Sequence, residues 1–192
     1  IMLATNLQPF LMGIAVSVLV GIALTLPISS AAICAAFGLT GLAGGAAVAG
    51  CCAQMVGFAV MSFKENRWGG LVSQGIGTSM LQMGNIIKNP RIWIAPIVTS
   101  AITGPMATCL FKLQMNGTPV SSGMGTCGFV GQIGVYSGWV NDIANGTKAA
   151  ITGFDWTGMI LISFILPAVL CPLINMPVSY THLRAHETRH DL

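Results

Sequence analysis

The sequence predicts an all-α polytopic membrane protein, with four or five transmembrane helices plus glycine-rich re-entrant or interfacial segments. Hydrophobic residues make up 54% of the 192 residues and charged residues only 7%, whereas soluble domains carry roughly 25% charged residues. The chain also contains 24 glycines, and small residues let membrane helices approach closely where no hydrophobic force drives them together. A lipid bilayer is therefore the expected environment, with tight helix packing inside it.

Three apolar stretches have the length and composition of membrane-crossing helices. The first, residues 9–26, has about 18 residues, close to the roughly 20 that are needed to cross about 30 Å of hydrocarbon. The second, residues 92–113, is expected to be kinked, because Pro96 and Pro105 remove helix hydrogen bonds. The third is 154–173.

A fourth stretch, residues 31–63, is uncharged, and its length is ambiguous. As a continuous helix it would be about 50 Å long, which is too long for one ordinary crossing and short for two. We expect a break at Gly44 and Gly45, because paired glycines destabilise a helix interior. The alternative is one close-packed crossing, because Gly41 and Gly45 also have the small-x-x-x-small spacing. The number of crossings here stays open from the sequence.

The segment 68–87 is rich in glycine and glutamine and too polar for a lipid-facing span. We predict that it is interfacial or re-entrant. Most basic residues outside 179–192 bracket it, namely Lys64, Arg67, Lys88 and Arg91. The positive-inside bias assigns this side of the protein to the cytoplasm.

The segment 123–134 places several glycines among polar side chains in an otherwise apolar chain. Irregular backbone survives at membrane depth only where protein or a water-filled cavity satisfies its amides. We therefore interpret Gly123, Gly125, Gly128 and Gly131 as re-entrant backbone beside a solute path. Three of them also match a dinucleotide-binding spacing, but the strand and helix that this motif requires are not predicted around them.

A second polar cluster consists of amide and hydroxyl side chains, which are costly to bury in a membrane protein unless they form hydrogen bonds. Its members are Gln74, Thr78, Ser79, Gln82, Asn85 and Asn89. Such groups both donate and accept, as the binding of a neutral polyol requires, often beside an aromatic ring such as Trp68 or Trp93. For any single member, solvation at the membrane interface is the alternative interpretation.

The remaining composition excludes several classes of function. Outside 179–192 the only acidic residues are Glu65, Asp142 and Asp155, and no catalytic triad, carboxylate pair or metal-ligand set is formed. We therefore expect no autonomous catalytic site, no cofactor and no metal. The net charge is +3 without any basic run, so nucleic acid is not an expected partner. The six cysteines lack metal-binding spacing and are expected to be small buried residues.

Residues 179–192 differ sharply in composition from the rest and contain all three histidines. These histidines recur every fourth residue and would share one helix face, but no second ligand cluster accompanies them. The peptide resembles one that recurs at the ends of unrelated reading frames, as a translated sequencing adapter does. The predicted organisation is a fragment of a membrane domain over 1–178, followed by a non-native tail over 179–192.

Three linked blocks carry a family resemblance: QGIGTSMLQMGN at 74–85, KNPRIWIAP at 88–96 and GMGTCGFVGQ at 123–132. Together they resemble the IIC membrane component of bacterial sugar phosphotransferase systems, in a divergent branch that includes toxin-gene regulator-like membrane proteins. The resemblance covers roughly residues 7–176. It implies a multi-pass protein of the bacterial plasma membrane, generally a homodimer, that translocates a sugar for phosphorylation by a soluble IIB component.

The resemblance implies that the polar clusters form a binding site, in which a sugar binds between the two glycine-rich segments. The expected substrate-binding residues are Gln82, Asn85, Asn89, Thr126 and Gln132. Many IIC proteins present a glutamate or histidine to the sugar, whereas here only Glu65, placed in a loop, is available. A second hypothesis is therefore a non-transporting membrane sensor or regulator that kept the IIC fold. A third is an ion-driven transporter, which would need a buried carboxylate.

Overall fold

The structure is a computed structural model that describes residues 8–187, with the backbone alone from residue 177 onward. In this part of the chain the α-helices are α1 Pro9–Thr25, α2 Ser30–Ala36, α3 Gly41–Met61, α4 Phe63–Val72, α5 Met83–Lys88, α6 Ile94–Pro105, α7 Pro119–Ser122, α8 Val130–Ala144, α9 Gly153–Ile160 and α10 Leu166–Glu187. Short π-helical segments lie at Ser73–Gly77, Met106–Leu110 and Leu161–Ile165, and 3-10 segments at Ser79–Gln82, Pro90–Trp93 and Cys127–Phe129. The described residues include no β-strand.

Among the described residues, three continuous helical stretches are long and apolar enough to cross a membrane: Gly41–Met61, Pro90–Leu110 and Gly153–Met176. The shorter helix α1 has 17 residues and is also apolar. The predicted all-α membrane fold is confirmed. The predicted stretches 9–26, 92–113 and 154–173 each correspond closely to one of these four elements.

The chain does not break at Gly44 and Gly45, where a turn was predicted. Instead it turns between α2 and α3, where Gly38 and Gly41 adopt left-handed φ values of 58° and 61°. Helix α3 runs through the glycine pair because both residues are buried against neighbouring chain. A Cβ on Gly45 would overlap the carbonyl of Leu113. The alternative of one close-packed crossing therefore describes residues 41–61.

Helix α3 is the centre of the bundle and packs against α1, α6 and α10. One side of α3 shares a buried apolar cluster with α1 and α2. Its other side shares a second cluster with α8, α9 and the segment that follows α6. Its apolar window is 83% buried, against 33% for Gly153–Met176, so the last span is peripheral and α3 is enclosed by protein.

Close backbone contacts join the three innermost helices. A Cβ on Gly50 of α3 would overlap the carbonyl of Ser17 in α1, and a Cβ on Gly104 of α6 would overlap the carbonyl of Gly13 in α1. The hydroxyl of Ser17 also donates to the carbonyl of Ser100 in α6, at 2.8 Å. Since lipid provides no hydrophobic force between helices, contacts of this kind hold the bundle together. The predicted tight packing through small residues is present.

The proline-rich helix α6 continues past Pro105 by changing its hydrogen-bond pattern. Pro105 has no N–H and disrupts an α-helix at this point. The chain widens into the π-helix Met106–Leu110, in which the N–H of Phe111 donates to the carbonyl of Met106 at 3.0 Å. The hydroxyl of Thr108 donates to the carbonyl of Pro105 at 3.3 Å. Backbone carbonyls next to the proline are therefore paired within the protein.

The cysteines are free thiols, and most are buried as the composition predicted. The buried ones are Cys34, Cys51, Cys52 and Cys171, whereas Cys127 is half-buried and Cys109 is exposed. Burial raises the pKa of the Cys34 thiol, and a hydrogen bond with Ser122 offsets only part of that rise. A thiol of this kind packs as a small apolar group and is a poor nucleophile.

The predictions for the tail concern residues that are described only in part. Helix α10 continues to Glu187 as backbone. The side chains of the three histidines and the whole of residues 188–192 lie outside the described residues. The boundary at residue 179 and the non-native origin of the tail therefore stay predictions.

Candidate functional site

A polar cavity lies at the Met61 end of α3. Its volume is about 340 Å³. The polar side chains that line it are Ser62, Glu65, Asn66, Gln82, Asn85 and Asn175. A neighbouring cavity of about 430 Å³ shares Asn66, Gln82 and Asn85 with it and adds Gln74. We refer to these two adjacent cavities together as the inner cavity.

Gln82 and Asn85 form the centre of the inner cavity. Gln82 ends the 3-10 segment and Asn85 lies one turn later in α5, so the two side chains point the same way. The amide nitrogen of Asn85 donates to the carbonyl oxygen of Gln82 at 2.8 Å. Gln82 is 4% exposed, whereas Asn85 is exposed. This bond orients both amides and leaves the nitrogen of Gln82 and the oxygen of Asn85 available to a solute.

Glu65 is the functional candidate that the sequence placed outside the site. It lies in the first turn of α4 and, with the adjacent Asn66, lines the same cavity as Gln82 and Asn85. Arg67, directly after these two residues, adopts a φ of 51° and redirects the chain. No local sequence signal marks Glu65 as a site residue, because only the tertiary fold places Glu65 and Gln82 on the wall of one cavity. The inner cavity therefore contains one carboxylate and five amide side chains.

Asn89 is placed at the edge of this region and lines neither part of the inner cavity. Its side-chain oxygen accepts from the N–H of Arg91 at 3.3 Å and so caps the 3-10 segment Pro90–Trp93. Asparagine is favoured at such positions because its side chain replaces a missing backbone partner. In the structure Asn89 thus ends one short helix and begins the next.

Thr126 and Gln132 lie inside the helix packing and do not line the inner cavity. Thr126 is fully buried, and its hydroxyl donates to the carbonyl of Gly75, so the glycine run contacts the other glycine-rich segment. The amide nitrogen of Gln132 donates to the sulfur of Cys52 in α3 at 3.3 Å. The side-chain oxygen of Gln132 has no partner among the described residues. The structure therefore separates these two residues from the pair formed by Gln82 and Asn85.

The glycines of the run bring its backbone against the protein's own helices. A Cβ on Gly123 would lie 2.6 Å from the carbonyl oxygen of Ser30, and one on Gly125 would lie 2.6 Å from the Cβ of Cys51. The N–H of Gly131 donates to the carbonyl of Gly125 at 3.0 Å. Gly128 instead has a left-handed φ of 53°, and a Cβ there would meet only the side chain of Val130, at 3.8 Å. Close approach to α2 and α3 is thus the local reason for Gly123 and Gly125, whereas Gly131 packs against Gly125 within the run.

Gln54 is a buried polar residue that sequence analysis missed. It lies at the centre of α3 with no exposed surface. Its side-chain oxygen accepts from the hydroxyl of Thr25 at 3.2 Å and from the indole N–H of Trp93 at 3.1 Å. Thr25 is also paired with Ser79 at 3.0 Å. The signal in the sequence was a single amide in an uncharged stretch. In the structure, Gln54 links α1 and α3 to the segments that carry the inner cavity.

Replacing Thr126 by valine is expected to lower the free energy of unfolding by about 1–3 kcal/mol, because the carbonyl of Gly75 loses a buried donor. Valine has nearly the same shape, so packing should change little. The measurement is denaturant unfolding in detergent micelles. Thr157→Val is the matched control, since the exposed Thr157 donates only within its own helix, and we expect a change below about 0.5 kcal/mol. Equal changes in both variants would contradict the assignment.

The fold and the cavity together define an integral membrane protein whose central helix carries a polar, solute-sized cavity at one end. The family model for the phosphotransferase system, EIIC, matches residues 1–188. The chain belongs to this family, and it is therefore a membrane component of a sugar phosphotransferase system, whose family context implies a sugar substrate and a soluble IIB partner. Comparison with curated proteins and with solved structures gave no match.

Proposed function

We propose that this chain is the translocating subunit of its phosphotransferase system, and that it binds a sugar in the inner cavity and presents it for phosphorylation by the IIB component. The observation that carries the proposal is the presence of Glu65 in the same cavity as Gln82 and Asn85. A carboxylate accepts from two hydroxyls, and amides both donate and accept. This combination suits a neutral sugar, and a volume of about 340 Å³ lies within the usual range for small-molecule sites.

The charges around the inner cavity support a cytoplasmic position for it. Lys64 and Arg67 lie in α4, and Lys88 and Arg91 flank the end of α5. Basic residues near the ends of membrane helices favour the cytoplasmic side. In a bacterial plasma membrane with a multi-pass topology, the inner cavity would then open where a soluble IIB component can reach the bound sugar.

The segment that carries Gln82 and Asn85 is loosely constrained compared with the bundle. It consists of short π-helical, 3-10 and α-helical pieces between 73 and 88. A Cβ on Gly77 or Gly84 would meet nothing within 4 Å, in contrast to the tightly enclosed Gly45 and Gly50. Segments with few packing contacts open at low free-energy cost. This supports a role in which the segment moves while the central bundle stays fixed.

The proposal assigns different roles to the other expected binding residues. Gln82 and Asn85 would contact the sugar directly, with Glu65 as the charged acceptor. Thr126 would hold the two glycine-rich segments together, while Asn89 and Gln132 would bind the sugar only if the segment moves. The proposal further includes a homodimer, a membrane domain fragment over 1–178 and a non-native tail over 179–192.

The test is transport by the full chain in proteoliposomes with a phosphorylated IIB component enclosed inside. Radiolabelled mannitol, glucose and N-acetylglucosamine are the probes. We expect at least one of them to accumulate as its phosphate, and only when the IIB component is phosphorylated. Saturable binding without accumulation would instead support the sensor hypothesis, because that hypothesis keeps the site and drops translocation. The proposal would be contradicted if none of the probes bound to the protein and none accumulated in the proteoliposomes.

A further inference from the structure

A second polar cavity, of about 380 Å³, lies outside the site described above. Four parts of the chain converge there: the segment after the π-helix Met106–Leu110, the end of α8, the loop that follows α8, and α9. The polar residues that line it are Lys112, Gln114, Asn116, Asp142, Thr147, Lys148 and Asp155. We refer to it as the outer cavity.

The inner and outer cavities lie at opposite ends of α3. Phe58 and Met61, at the end of α3, line the inner cavity. Leu113 lines the outer cavity and packs against Gly45, near the start of α3. Helix α3 has 21 residues, and at 1.5 Å per residue its length is roughly 30 Å, the thickness of the hydrocarbon layer. In a membrane that α3 spans, the two cavities would therefore face opposite sides.

The packing of α8 builds the outer cavity. Gly138 and Asp142 are four residues apart and share one face of α8. A Cβ on Gly138 would lie 2.7 Å from the backbone nitrogen of Asn116, so glycine lets the extended segment lie directly on the helix. One turn further on, the side-chain nitrogen of Asn116 donates to a carboxylate oxygen of Asp142 at 2.7 Å. The helix thereby holds a carboxylate and an amide side by side at the cavity wall.

Some polar groups of the outer cavity are already paired. Lys148 forms an ion pair with Asp155 at 2.7 Å and lies 5.1 Å from the ring centre of Trp139. Asp155 also caps α9 through Thr152. On this side of the outer cavity the charges of Lys148 and Asp155 balance each other, and both side chains are paired without any ligand.

Other polar groups of the outer cavity are unpaired. Lys112 forms no ion pair and no hydrogen bond to a described side chain, and it adopts a left-handed φ of 46°. The second carboxylate oxygen of Asp142 and the side-chain oxygen of Asn116 likewise have no described partner. A left-handed lysine is unfavourable, and such strain is concentrated at functional sites. One cation and one anion face the same space, so the unpaired groups carry no net charge.

We propose that the outer cavity is a binding site, on the outer face of the membrane, for a neutral hydroxyl-rich solute. Asp142 and Asn116 accept hydrogen bonds from hydroxyls, and Lys112 donates to hydroxyl oxygens. Because the charges balance, the site favours neither a phosphate nor an ammonium ligand. The inference rests on the proposed function for its solute, since a translocated sugar must be bound on the outside before it reaches the inner cavity.

The experiment labels single cysteines from outside intact right-side-out vesicles that contain the full chain. The exposed Gln114, at the rim of the outer cavity, is replaced by cysteine in a Cys109→Ser, Cys127→Ser background. Ala149→Cys is the matched control, because Ala149 is exposed in the neighbouring loop and does not line the cavity. A membrane-impermeant maleimide should label both. Mannitol, glucose or N-acetylglucosamine should slow labelling of Gln114→Cys at least fivefold and leave Ala149→Cys unchanged.

Second-site variants separate the outer cavity from the inner one. Asp142→Asn and Lys112→Met should each raise the solute concentration for half-protection at least tenfold, whereas Asn85→Ala should leave it unchanged. Protection by glucose 6-phosphate alone, absence of protection by every neutral probe, or labelling only from the inside would overturn the proposal. Protection without any transport would support the outer site and contradict the proposed function. Transport without protection would support the proposed function and contradict the outer site.

Discussion

Replacing Gly50 by alanine is expected to destabilise the protein by about 3 kcal/mol or more, because overpacking a closely fitted interior costs about 1–3 kcal/mol and sometimes more. The new Cβ would overlap the backbone carbonyl of Ser17. A backbone group in the middle of a helix cannot rotate away as a side chain can. Helices α1 and α3 would therefore have to move apart, and the contacts between α1 and α6 would loosen with them.

Gly84→Ala is the matched control for this experiment, since a Cβ on Gly84 meets nothing within 4 Å. Alanine is favoured over glycine within a helix by about 1 kcal/mol, so this variant should be as stable as the parent or more stable. The measurement is the free energy of unfolding in mixed detergent micelles, followed by helical circular dichroism. Destabilisation of similar size in both variants would contradict the view that close packing of α3 holds the bundle together.

Replacing Glu65 by glutamine or Asn85 by alanine is expected to lower the initial rate of sugar uptake at low sugar concentration about 10–100-fold. A hydrogen bond to a charged group contributes about 1.5–3 kcal/mol, and about 1.4 kcal/mol corresponds to a factor of ten. Glu65→Gln keeps the shape of the side chain and removes its charge. Asn85→Ala removes one amide and also the hydrogen bond that orients Gln82.

Two surface variants serve as controls for the uptake experiment. Lys64→Gln changes the charge next to Glu65 but alters a side chain that does not line the inner cavity, and Asn145→Ala removes an exposed amide far from it. Both should transport at rates within about twofold of the parent chain. Uptake that is unchanged in Glu65→Gln and Asn85→Ala, with folded protein in the membrane, would reject the inner cavity as the sugar site.

The transmembrane helices were predictable because a bilayer imposes a length and a composition. Residues 9–26 and 154–173 match helical elements closely, since a helix satisfies the backbone of an apolar stretch in lipid within the stretch itself. The position of the break within 31–63 was predicted wrongly. In a sequence, a glycine that forms a turn cannot be distinguished from a glycine that lets two helices approach closely. The contact of Gly45 with Leu113 shows that Gly45 has the second role.

The candidate site was predictable in part. Gln82 and Asn85 were predicted as binding residues from a cluster of amide and hydroxyl side chains and from the family resemblance, and the structure places both on the wall of one cavity. Glu65 was set aside as a loop residue, and Asp142 was given no role in binding. Both became candidates because the tertiary structure places Glu65 on the wall of the cavity that Gln82 and Asn85 line, and packs α8 against the segment that holds Asn116.

Composition and local spacing were enough to establish a helical membrane protein with two polar, glycine-rich segments, because the cost of burying polar groups in lipid acts on every stretch separately. Three results came only from the tertiary structure. They are the central position of α3, the placement of Glu65 in the same cavity as Gln82, and the presence of a cavity at each end of α3. In a membrane helix that is apolar on every side, hydrophobic periodicity carries no information about which face meets which neighbour. Close backbone contacts at particular glycines decide that instead, and they exist only once the helices have packed.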